Sequence, residues 1–168
     1  MSFLLLMIAL SALAYVPQCL LGDRRDYRMA MRHGMAGGFM VTGVDHFVSS
    51  HTRYVPMLPD FLAEHALELV YVTGVLELAG AIGLVIPLAV YRRLGLPNLR
   101  QWAGIGLAVM LAFLVIANIH VALQGSQVQG LEFGAWYYFL RPFLQPIFML
   151  WALFAAGVIG QRFPALPC

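Results

Sequence analysis

The sequence predicts an all-α integral membrane protein: five helical spans forming a single transmembrane domain over residues 1–168. Three observations carry that prediction. Of the residues, 61% are hydrophobic and only 11% charged, with a mean hydropathy of +0.80; soluble proteins average about 25% charged. Five apolar stretches approach the ~20 residues that a helix needs to cross the hydrocarbon core. The charges cluster between those stretches, and connections are too short to hold a soluble domain. A net charge of +2 argues against a nucleic-acid partner, so the expected environment is a lipid bilayer.

The spans are expected at about 2–21, 29–48, 66–90, 102–124 and 141–161. "SALA" at 11–14 in the first imitates a signal-peptidase site, but no basic segment precedes it, so the span is read as retained. Arginines set the direction. Arg24, Arg25, Arg28 and Arg32 follow span one, Arg92, Arg93 and Arg100 separate spans three and four, and Arg162 follows span five. Only Arg53 and Arg141 fall on the other side. The positive-inside rule then orients the chain in a bacterial inner (cytoplasmic) membrane as a multi-pass protein, N-terminus outside and C-terminus cytoplasmic. Between spans two and three, "VPMLPDF" reads as a proline-fixed turn, with Asp60 as N-cap of the next helix and Glu64 and Glu68 on a wet face.

Polar residues inside the apolar spans are the informative ones. Glu77 lies about eleven residues into span three, roughly 16 Å along the helix, near the membrane middle. A carboxylate at that depth is expensive and is expected to face the bundle with a partner. Gly74, Glu77, Gly80, Ala81 and Leu84 share one helical face, and its small residues permit close helix approach. On span four, Gly104, Ala108, Leu111, Val115 and Asn118 form another face. His120 lies some 200° from Asn118 and so points elsewhere. On span two Asp45 shares a face with Gly34, Gly38 and Val41, and His46 is one step round. Arg141 and Gln145 lie a turn apart on span five, after the aromatic "WYYF", which reads as an interfacial belt.

In this topology Asp45, His46, Asn118, His120, Arg141 and Gln145 occupy the outer third, with Glu77 deeper. They are expected to rim a polar, outward-opening cavity. Plainer readings stand beside this one. Asp45 could be solvated or bonded to loop amides, His46 and His120 interfacial, Asn118 interhelical glue, Arg141 an anchor or the counter-ion of Glu132, and Glu77 a carboxylate paired for packing.

"RHGMAGGFMVTGVDHFV", "VPMLPDF", "LVYVTGVLELAGAIGLVIP" and "FLVIANIHVAL", in that order, resemble the DoxX-like family of small polytopic membrane proteins. The resemblance covers roughly residues 30–124 and rests on Gly43, His46, Phe47, Pro56, Pro59, Gly74, Glu77 and Asn118. It implies a four-helix transmembrane bundle to which span one is an additional N-terminal helix. It also implies a functionally mixed family, with members in sulfur oxidation as subunits of a thiosulfate:quinone oxidoreductase, in other membrane redox complexes, and in protein maturation.

The first functional expectation is therefore an inner-membrane component of a quinone-linked oxidoreductase, beside a partner redox subunit. Glu77, His46, Asp45 and Asn118 would be catalytic: Glu77 would carry protons, His46 or Asn118 would contact a ring oxygen, and Asp45 would orient His46. His120, Arg141 and Gln145 would bind substrate, with quinone as the cofactor. Cys19 and Cys168 form no C-x-x-C pair, so no protein dithiol is expected. One alternative is a cofactor-free acid–base enzyme acting on a lipidic substrate with the same groups. Another is a metal-handling or assembly subunit using His46, Glu77 and His120, although no H-x-x-H or H-x-x-x-H spacing supports it. A purely structural subunit is a further alternative.

Overall fold

The computed structural model describes residues 3–21, 26–124 and 135–160, and every regular element in it is helical: α1 (Phe3–Leu21), α2 (Tyr27–Val48), α3 (Ala66–Val85), α4 (Leu88–Arg93), α5 (Leu99–Gln124) and α6 (Ala135–Ala156). Arg24, Arg25, Glu132, Arg162 and Cys168 lie outside the described residues. By length and composition α1, α5, α6 and the segment Asp60–Val85 are each able to cross a membrane. α2 is as long, but its stretch is more polar and does not meet that measure.

Local chemistry explains the boundaries. The Asp26 side chain accepts a hydrogen bond from the Met29 amide at 2.9 Å and caps α2. α3 stops at Val85, not near residue 90, because Pro87 brings no N–H and disfavours a helical residue before it. The chain restarts at once as the short α4, where the sequence pattern suggests one longer span. α6 begins six residues earlier than expected, so the "WYYF" aromatics lie within the helix. It accommodates Pro142 and Pro146, which release the carbonyls four residues before each from the ladder. Between α2 and α3 the chain coils through a π-helical turn (Ser50–Tyr54) and two 3₁₀ turns (Val55–Met57, Asp60–His65). Asp60 makes no side-chain cap; Pro59 and His65 hold the N-cap positions of the second 3₁₀ turn and of α3. Glu64 and Glu68 are exposed as expected.

α2, α3, α5 and α6 pack in a ring, each against two of the others, and α1 packs mainly on the outside of α2. The long helices alternate in direction. At one end Arg28 donates to the Ile159 and Gly160 carbonyls, Arg100 to Ile86 O and Gln101 to Gly157 O. These bonds tie the starts of α2 and α5 to the ends of α3 and α6. The opposite end gathers the end of α2, the coiled segment, the start of α3, the end of α5 and the start of α6. At the arginine-bearing end the ring is filled by Met35, Leu84, Leu107, Ala152 and Ala156.

Glycines set the helix spacings. A Cβ on Gly104 would collide with Ala156 Cβ, and one on Gly34 would meet the Met7 carbonyl at 2.6 Å. At Gly43 and Gly74, α2 and α3 touch backbone to backbone, a Gly74 Cβ falling 3.1 Å from Gly43 O. Only residues without side chains allow that approach.

Candidate functional site

The Gly43–Gly74 contact determines what Glu77 meets. Glu77 lies almost one turn beyond Gly74 on the same face, and Thr42 and His46 flank Gly43, so the close crossing brings the three together. Glu77 is 4% exposed. Its Oε2 accepts from the Thr42 hydroxyl at 2.5 Å and lies 3.6 Å from His46 Nδ1. Thr42 Oγ1 is also 3.2 Å from Gly38 O, but one hydroxyl proton serves one acceptor at a time. With an ionised Glu77, Thr42 donates to the carboxylate. With a protonated Glu77, the carboxyl donates to Thr42, which turns to Gly38 O. The site therefore has a satisfied hydrogen-bond pattern for either protonation state.

His46 Nδ1 is 2.8 Å from the Thr42 carbonyl. That acceptor requires a proton on Nδ1 and leaves Nε2 as the acceptor nitrogen of the neutral ring. The ring stacks on Tyr54, centroids 3.8 Å apart. Tyr54 in turn donates to Asp45 Oδ2 at 2.9 Å. Burial first, and the negative charge of Asp45 second, push the Tyr54 phenol well above its ordinary value, so it stays a donor.

Asp45 does something other than orient His46. Its two oxygens accept from Ser49 Oγ at 2.7 Å, Arg53 Nη1 at 2.7 Å and Tyr54, and none of these partners is His46. The carboxylate clamps the π-helical turn onto the end of α2. It therefore supports the Tyr54 plate on which His46 rests, one step removed from the role expected of it.

These groups line a cavity of about 500 Å³ in the half of the ring away from the arginine-bearing end, also reached by Asn118, Arg141, Gln145, Tyr137 and Tyr138. Its remaining wall is apolar, with Phe39, Leu111, Leu144 and Phe148. Asn118 is 5% exposed and donates to Leu114 O at 3.0 Å; it is not bonded to Glu77. Gln145 is 7% exposed, and its Oε1 has no hydrogen-bond partner. The Arg141 guanidinium rests 4.0 Å from Met57 Sδ, and no carboxylate lies within 4 Å of it among the described residues.

His120 is not part of this cavity. It faces a separate hollow with Val55, Leu58, Asp60 and Gln124, as its angular offset from Asn118 requires. His120 thus lies apart from Glu77, whereas the sequence reading placed it on the same cavity. His46, Glu77 and His120 are not gathered as a metal centre: no group of three His, Cys, Asp or Glu side chains suited to a metal occurs among the described residues. α1 stays at the periphery, yet its first turn closes one side of the cavity. Phe3 packs its ring against Phe39 and Phe148, both at 5.1 Å between centroids.

Thr42, Tyr54 and Tyr138 belong to the site without having been singled out in the sequence. Thr42 carries a signal in retrospect, one turn before His46 and beside the glycine that permits the crossing. The tyrosines carry none, since they arrive from a coiled segment and from the belt.

Residues 35–156 match the family model described as domain of unknown function DUF8561. No curated protein and no solved structure matches the chain.

Proposed function

We propose, for a chain that belongs to the DUF8561 family, that it is a membrane component of a quinone-linked oxidoreductase whose ring cavity binds the quinone. The observation that carries this reading is the Glu77–Thr42–His46 group, buried at the base of a largely apolar cavity. A quinone ring needs hydrogen-bond donors at its oxygens and a nearby acid to deliver protons as electrons arrive; an apolar wall suits its tail. Glu77 is the proton carrier, exchanging through Thr42, whose hydroxyl bonds equally well in both states. Asn118, with one amide proton not used by Leu114, donates to a ring oxygen, and His46 Nε2 accepts from a hydroxyl of the reduced ring. Asp45 is a positioning residue acting through Tyr54, and Gln145 and Arg141 form the upper wall.

On this reading α2 also crosses the bilayer, giving five spans. Its polar residues support this by their placement: Asp45 and His46 lie at the cavity, and Arg28 is at the opposite end. The ring of α2, α3, α5 and α6 with α1 outside accords with a DoxX-like four-helix bundle plus one helix. Arginines gathered at one end support an N-terminus outside and a cytoplasmic C-terminus in a bacterial inner membrane. Electrons come from a partner redox subunit, since Cys19 and Cys168 form no C-x-x-C motif.

The same geometry suits a cofactor-free acid–base enzyme on a lipidic substrate, with Glu77 as the base, because nothing in the group itself handles electrons. Mass spectrometry of lipids co-purifying in mild detergent separates the two. About one quinone per chain supports the oxidoreductase. No quinone above the level carried by an unrelated membrane protein overturns it, and another stoichiometric lipid supports the second reading.

A further inference from the structure

Glu77 accounts for one end of the cavity and leaves the other end chemically unexplained. Arg141 and Gln145 lie one turn apart on α6, and both line the cavity. The nearby acids are engaged elsewhere. Asp45 pairs with Arg53 at 2.7 Å, and Glu77 bonds to Thr42. Arg141 thus holds a guanidinium against the sulfur of Met57 with no carboxylate within 4 Å among the described residues. Gln145 is 7% exposed, with its carbonyl Oε1 unpartnered. A half-buried cation without a carboxylate and a buried unpartnered carbonyl on one wall are both costly unless something fills the site. Guanidinium and amide together match an acidic oxygen group: arginine gives two charge-assisted contacts, the Gln145 Nε2–H a third, and Oε1 accepts from a hydroxyl of the head where the acid carries one.

The cavity also has a side exit. α1 meets α2 at Gly34, Gly37 and Gly38. Beyond that level Val41, Val44 and Val48 line the cavity while remaining 55%, 51% and 78% exposed. Among the described residues nothing covers them, so the cavity opens sideways where lipid chains run, with Phe3 as its sill.

We propose that this cavity takes a second class of ligand, an acidic amphiphile: a carboxylate or phosphate head held by Arg141 and Gln145, its apolar chain leaving between α2 and α6 past Val41 and Val44. This inference rests on the reading of the cavity as a lipid site, but not on the ligand being a quinone. Because the head would occupy the same enclosed volume as a quinone ring, the two classes compete.

The test is binding of tritiated oleate to the detergent-purified full chain, with unlabelled competitors. Oleate binds saturably, methyl oleate competes at least about tenfold more weakly because it lacks the charge-assisted contacts, and inorganic phosphate does not compete. Arg141→Gln weakens oleate binding by a similar factor, while Arg141→Lys keeps part of it. Should Arg141→Gln not fold, Gln145→Leu, which preserves bulk without a polar end, is expected to weaken oleate several-fold. Methyl oleate competing as well as oleate, phosphate competing as well as oleate, or a folded Arg141→Gln protein binding oleate normally each overturns the proposal. A short-chain quinone that binds where oleate does not defeats this inference and leaves the quinone reading standing. Oleate binding that no quinone displaces does the reverse.

Discussion

Substituting Gly74 by alanine tests how the site is built, because it alters no polar group. A Cβ at Gly74 would fall 2.8 Å from His46 Cβ, 3.0 Å from Phe47 Cε2 and 3.1 Å from Gly43 O. The Phe47 ring can swing aside. His46 Cβ and Gly43 O are fixed to the α2 backbone, so α3 must retreat. The shortfall from ordinary contact at His46 is about 0.6 Å, and forced overpacking of this kind costs about 1–3 kcal/mol. Glu77 retreats with α3, and its 2.5 Å bond to Thr42 lengthens toward the weak end of hydrogen bonding, near 3.2 Å. Two measurements are needed. Thermal unfolding in detergent reads the packing cost as a drop of several degrees, and quinone or oleate binding reads the distortion of the cavity. Gly106, with open space where its Cβ would go, is the control, and its alanine variant is expected to match the wild type. A Gly74→Ala protein that unfolds and binds like the wild type would refute the claim that backbone contact between α2 and α3 positions Glu77.

Glu77→Gln keeps the shape and most hydrogen bonds, so the protein folds and still binds its ligand, but turnover or proton uptake measured in proteoliposomes is lost; full activity removes Glu77 as proton carrier. Glu77→Ala also lowers thermal stability, by about 1–3 kcal/mol, because Thr42 and His46 lose a buried partner. Asp45→Ala releases three hydrogen bonds from a partly exposed cluster and costs about 1–2 kcal/mol after allowance for solvent screening. Limited proteolysis should then cut first within residues 49–59; an unchanged cleavage pattern would mean that Asp45 does not clamp that segment. His120→Ala leaves ligand affinity unchanged, and a tenfold loss would show that the His120 hollow communicates with the main cavity. Reporter fusions at residue 96 behave as cytoplasmic and at residue 53 as external; activity on the wrong side at either position reverses the orientation.

Much of this was legible because membrane depth makes polarity expensive. Glu77 had to face inward, and the face containing Gly74, Gly80, Ala81 and Leu84 is buried together with it. The 200° offset of His120 from Asn118 was enough to separate their environments. Periodicity failed where the chain leaves regular helix. The role of Asp45 depends on Arg53 and Tyr54, and only the π-helical turn after Val48 carries them back over the end of α2. Helix ends were misjudged at α3 and α6 for opposite reasons. Pro87 terminates an apolar run that hydropathy alone would continue, whereas α6 already includes the "WYYF" aromatics that read as a belt before the span. Thr42 escaped notice because a threonine in an apolar helix is ordinary until a carboxylate arrives from the neighbouring helix.

The most direct test of the central claim is photolabelling of the purified protein with an azido-quinone, followed by peptide mapping. The account predicts saturable labelling on peptides containing Thr42, Tyr54, Asn118 and Gln145, abolished by excess unlabelled quinone. Labelling that does not saturate, or that maps only to outward-facing residues such as Trp102 and Phe113, would contradict it.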